Sequence, residues 1–126
     1  LPRNIVVSQA TLEEDFVRSH WTLYRGTTAV VQAVVAGLRP IYLMLPDELT
    51  IDPLYELDRW RVRVASTLDF QHAITRGHSI SNSSSIAEMQ FAKKYCENFF
   101  LPLNFRTVSD VILPKKKSSM RINATI

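Results

Sequence analysis

Tyr24-Arg25-Gly26-Thr27-Thr28 sets one cation, one glycine and two hydroxyls between two apolar stretches. Trp21–Tyr24 before it has strand character, and Thr28–Ala36 after it has helical spacing. Where a strand turns into a helix, the first helical N–H groups are unpaired and the helix dipole favours negative charge. The chemistry suited to that place is the holding of a phosphate or diphosphate. Gly26, Thr27 and Thr28 would donate N–H and hydroxyl groups, and Arg25 would neutralise charge on a departing phosphate. An ordinary threonine-capped helix start has the same composition, and Arg25 is equally suited to pairing with Asp47 or Glu48.

Asp47, Glu48 and Asp52 follow the next apolar run, Ile41–Leu45. Carboxylates after a parallel strand accept hydrogen bonds from ribose hydroxyls, although Asp52-Pro53 is also turn chemistry. Ser8 and Gln9 follow an earlier run, Asn4–Ser8, and are expected on the same rim. No catalytic acid, base or nucleophile can be assigned. His20 belongs at the opposite rim, His72 on a helix face and His78 in a polar loop, none with metal-ligand spacing. Cys96 sits among Tyr95, Phe99 and Phe100 and reads as a packed, inert thiol. Trp21 and Trp60 read as packing residues. The Ser81–Ser85 run has no nucleophile-elbow context and reads as a flexible loop. There is neither a Walker lysine motif nor a GxGxxG, which argues against a P-loop ATPase and an ordinary NAD site.

The elements that must position these residues alternate. Asn4–Ser8 is expected as a buried strand. Thr11 and Glu14 form a capping box opening a helix to about Ser19, with Leu12 and Phe16 inward. After the strand at Trp21–Tyr24 comes a largely buried helix, stopped by a left-handed Gly37. The run Ile41–Leu45 is apolar throughout, as in a parallel strand covered on both faces. Pro46–Leu57 is a loop with room for a short helical turn, and Arg61–Ala65 alternates like an edge or near-edge strand. Thr67 is expected to cap a helix over Leu68–Thr75, and Ser85-Ile86-Ala87-Glu88 to open one to about Phe99. Phe105–Leu113 makes a last short helix. Such alternation implies an α/β fold, a Rossmann-like open parallel sheet flanked by helices, with ligands at the carboxyl ends of its strands.

The 126 residues suit one domain with one core, expected over 1–113, followed by a flexible basic tail over 114–126. The formal charge of +3 falls to −1 when Lys115, Lys116, Lys117 and Arg121 are set aside. The body therefore offers little to nucleic acid, while the tail has the composition for weak contact with an anionic membrane. No apolar run reaches the roughly 18 residues that span a bilayer. One cysteine and the lack of a secretory signal fit a reducing cytoplasm.

The strand, the YRGTT turn, the helix AVVQAVVAGLRP and the strand IYLML together resemble the C-terminal, donor-binding half of GT-B glycosyltransferases. Many members have a Ser/Gly/Thr-rich turn and then a helix of the form x-E-A-x-x-x-G-x-P-x-I. Val31-Gln32-Ala33-Val34-Val35-Ala36-Gly37-Leu38-Arg39-Pro40-Ile41 is the corresponding segment, with Gln32 where many members have Glu and the proline one place later, at Pro40. The resemblance covers about Pro2–Thr75 and is nearest to bacterial surface-polysaccharide transferases. It implies a nucleotide sugar as substrate, no metal or other cofactor, and an acceptor-binding half that supplies the general base. The chain would then be part of a longer enzyme, at most peripheral to the inner face of the membrane. Two other readings fit the same architecture: a non-catalytic doubly wound module for regulation or protein interaction, and half of a nucleotide-sugar epimerase.

Overall fold

The computed structural model describes residues 1–77, 83–100 and 105–113. The expected basic tail over 114–126 and the loop histidine His78 lie outside them, as does part of the expected Ser81–Ser85 loop.

Helix α1 (Leu12–Arg18) starts on the expected capping box. Glu14 N donates to Thr11 Oγ1 at 3.3 Å, and Thr11 N donates to Glu14 Oε2 at 2.8 Å. Two orphan backbone donors are thereby satisfied reciprocally. Phe16 is half-buried, but Leu12 is exposed, contrary to the inward pair expected.

Asn4–Ser8 does not form a strand. Residues 1–10 are all exposed, with Val6 at 86%. Ile5 N donates to Pro2 O at 3.0 Å, which turns the chain, and Ser8 Oγ donates to Asp15 Oδ1 at 2.8 Å. An apolar β-branched run favours extended backbone, but a strand also needs a ladder partner and a face to bury against.

Strands β1 (Trp21–Tyr24), β2 (Arg39–Leu43) and β3 (Val62–Val64) form one parallel sheet in the order β1-β2-β3. Between β1 and β2 lies α2 (Ala29–Val35), which buries Val30, Val31, Ala33 and Val34. Gly37, at φ +96°, stops it as expected, because only a residue without Cβ takes that angle freely. Strand β2 begins and ends two residues before the expected Ile41–Leu45 and contains Pro40. Arg39 N donates to His20 O beside β1, so the next residue's donor would face β3. Pairing with β3 starts only at Ile41, and the missing N–H of Pro40 therefore costs no ladder bond. Strand β3 is one residue shorter at each end than expected, and the Arg61 side chain is spent on an internal ion pair instead.

Tyr24 and Tyr42 share the sheet face that meets α2 and α4 (Ser83–Glu97). The core there holds Val30, Val34, Leu54, Leu57, Ala92 and Cys96. Leu54 and Leu57 come from the long connection between β2 and β3, which carries a turn where a crossover helix is usual. The small side chains of Ala92 and Cys96 let α4 approach α2 closely.

Helix α3 (Thr67–Gly77) is capped by Ser66 rather than Thr67. Asp69 N donates to Ser66 Oγ at 3.1 Å, and Ala65 N donates to Asp69 Oδ2 at 3.0 Å. The Ala65 amide holds the Asp69 carboxyl below its ordinary range. Helix α4 starts at Ser83, so Ser85 lies inside its first turn and is not a cap. Three consecutive serines each have cap chemistry, and local pattern cannot choose among them. A short 3₁₀ turn (Asn98–Phe100) and α5 (Phe105–Ile112) follow. Among the described residues no helix is long and apolar enough to cross a membrane.

Cys96 is fully buried, and desolvation pushes its thiol up from 9.0 to about 11. That shift alone leaves about a hundredfold less thiolate at neutral pH. Native chain is expected to react with a disulfide reagent at least about a hundredfold more slowly than chain in denaturant. Equal rates in a stopped-flow comparison would contradict the packed-thiol reading.

Candidate functional site

Tyr24 ends β1, and the turn before α2 carries the residues singled out in the sequence. Gly26 has φ +64°, and a Cβ there would stand 3.8 Å from Ile51 O. The loop after β2 therefore lies against this turn. Thr27 Oγ1 accepts from Ala29 N at 3.3 Å. Thr28 has helical backbone angles and its hydroxyl makes no cap bond, so that exposed hydroxyl remains available. The Arg25 guanidinium pairs with Glu48, the alternative its sequence position allowed. Its Nε is buried without a hydrogen-bond partner. Asp47, exposed and at φ 63°, turns the chain just before that pair.

Asp52 has a different role from the expected ribose contact. Its side chain is 8% exposed and pairs with Arg61, itself 4% exposed. Tyr24 Oη and Leu54 N each donate to Asp52 Oδ1 at 2.8 Å. Both carboxylate oxygens are thus engaged internally. Burial first, and Asp52 second, raise the Tyr24 hydroxyl far above its ordinary range, so it stays a neutral donor. The Tyr42 hydroxyl bonds Thr50 in the same loop. Ser8 and Gln9 do not join this rim, because no strand leads into them. They line a separate cavity with Asp15, Arg18 and Ser19.

Thr27 and Thr28 open onto a cavity of about 400 Å³. Its other walls are Ala29, Val31, Gln32, Phe99 and Phe100. Both phenylalanines are about half exposed, and Phe99 meets Tyr95 edge-on at 5.6 Å. Hydroxyl and amide donors on one side and aromatic rings on the other suit a ligand with an anionic part and a flat part. Local sequence placed Phe99 beside Cys96 and within the apolar stretch Tyr95–Phe105, a surface for a partner or a missing domain, and not at this turn. The Asn98-Phe99-Phe100 run was visible, but nothing local brings it to Thr27.

His20 precedes β1 at the opposite rim, as expected, and His72 is exposed on α3. Among the described residues no group of three His, Cys, Asp or Glu side chains is placed to hold a metal. The described strands run in sequence order, so no reversal marks a binding crevice, and the site rests on its residues alone. Compared with known proteins, the chain matches no family model, no curated protein and no solved structure.

Proposed function

We propose that this chain is the donor-binding half of a GT-B-type glycosyltransferase that moves a sugar from a nucleotide to a bacterial surface glycan. The observation that carries the reading is the cavity joining Thr27 and Thr28 to Phe99 and Phe100 at the start of α2 in a parallel β–α–β unit. The Thr27 and Thr28 hydroxyls would donate to the diphosphate at the start of α2. One phenylalanine face would take the base. Arg25 would exchange Glu48 for phosphate as the nucleotide departs, and Glu48 or Asp47 would then be free for ribose. Asp52 holds the loop in place rather than touching sugar. The acceptor and the general base would come from a second half. The nucleotide sugar is the substrate, and no cofactor enters this scheme.

Titration with CDP, CMP, UDP and GDP, followed by nitrogen–proton NMR, tests this directly. Saturable shifts over 25–29 and 98–100 with one nucleotide are expected. Thr27→Val with Thr28→Val should weaken that binding at least about tenfold, the loss of one hydrogen bond to a charged group being enough. Unchanged affinity would remove the turn from the site. If no nucleotide binds, in this chain or in a longer parent, the interaction-module reading takes over.

A further inference from the structure

Trp21 opens β1 and Arg39 opens β2, and the two are register partners at the amino ends of the strands. The Arg39 guanidinium lies 5.6 Å from the Trp21 ring centre and 5.1 Å from that of Trp60. Arg39 Nε donates to Trp60 O at 3.1 Å, and Trp60 Nε1 donates to Leu38 O at 3.2 Å. Trp60 is held at φ +69°, a backbone state that a bulky residue adopts only under constraint. Behind Trp21 stands Gly77, where a side chain would collide with the indole ring. Two tryptophans are therefore locked around one cation by three separate segments.

Among the described residues Arg39 forms no ion pair, and Glu88 acts on it only beyond ion-pairing distance. Burial, the main influence on it, disfavours its charge. Among the described residues the Nε bond is the guanidinium's one hydrogen bond. Arg39 belongs to the wall of a cavity of about 610 Å³ that also holds Lys93, His20 and Met89. Among the described residues no acidic side chain lines that cavity. A cation stacked only for packing would need neither a second cation nor open space.

We infer that this cavity is a binding site for a small organic oxyanion, a phosphate or carboxylate on a flat apolar body. Arg39 offers the planar fork that matches an oxyanion, Lys93 adds a point charge, and the indoles and Met89 cover the body. The site lies at the amino ends of the strands, whereas Thr27 and Thr28 follow the carboxyl end of β1. It does not depend on the nucleotide reading.

Trp21 and Trp60 are the two tryptophans of the chain, so fluorescence excited at the long-wavelength edge, where its four tyrosines do not absorb, reports on this cavity alone. The full chain is titrated with phenyl phosphate, with benzoate and with uncharged phenol. A saturable change with an anion and none with phenol is expected, and the tighter anion names the acid group. Lys93→Glu, on the surface of α4, should weaken binding at least tenfold with the circular dichroism spectrum unchanged. Thr27→Val with Thr28→Val should leave it unaltered. Arg39→Lys keeps the charge and loses the fork, and should also bind more weakly. No saturable change with either anion, a phenol response equal to theirs, or parental affinity in Lys93→Glu would overturn the inference.

Discussion

Asp52→Ala is expected to remove about 3–5 kcal/mol of stability, because it takes the counter-charge from the buried Arg61 guanidinium, which keeps only its bond to Tyr55 O. A domain of this size has about 5–15 kcal/mol in all, so the loss is at least about a fifth of the total. The loss has three sources. Arg61 keeps its charge in a site that is 4% exposed, Tyr24 Oη loses its acceptor, and the Leu54 amide loses its bond. Asp52→Asn should be milder, since the amide oxygen still accepts from Tyr24 and Leu54. Arg61→Met combined with Asp52→Leu should recover much of the loss, because an apolar pair needs no counter-charge. Urea unfolding of the four proteins measures all of this. A midpoint for Asp52→Ala within about 0.5 kcal/mol of the parent, the range of neutral surface changes, would refute the structural role.

Leu54→Ala should cost about 2–5 kcal/mol, the range for a leucine deleted from a core that cannot collapse. Leu54 has no exposed surface and touches the layer formed by α2 and α4. Leu49, five residues earlier in the same connection, is fully exposed, and its replacement should change stability by less than about 0.5 kcal/mol. The contrast tests whether a loop has taken the place of a crossover helix. Near-equal effects in the two variants, read by denaturant midpoint, would mean that the connection is not part of the core. Both predictions bear on function, because this loop carries Glu48 to Arg25 and lies against Gly26. Loss of Asp52 or Leu54 should therefore also disturb the cavity at Thr27, even though neither residue lines it.

How the site came to be legible differs from residue to residue. The turn at Arg25–Thr28 was visible because a strand, a glycine and a helix start are each written in neighbouring residues. Glu48 could be named as a partner for Arg25 because both follow adjacent parallel strands. Asp52 stands after the same strand and has the same chemistry, yet it turned inward. Its fate depends on Arg61 and Tyr24, nine and twenty-eight residues away, and on a cavity shaped to bury all three. The phenylalanines at 99 and 100 reach Thr27 only because α4 packs along α2.

By itself the sequence determined the local events: the Thr11 capping box, the apolar α2, the left-handed stop at Gly37 and the order of strand, turn and helix around it. Each depends on residues within one or two turns of one another, where propensity and hydrogen-bonding reach are decisive. Tertiary structure alone decided that Asn4–Ser8 would stay outside the sheet and that Asp52 would neutralise Arg61. It also decided that Arg39 would lie between two tryptophans. Strand pairing, charge burial and ring stacking need partners far along the chain, and their free energy exists only once those partners have met.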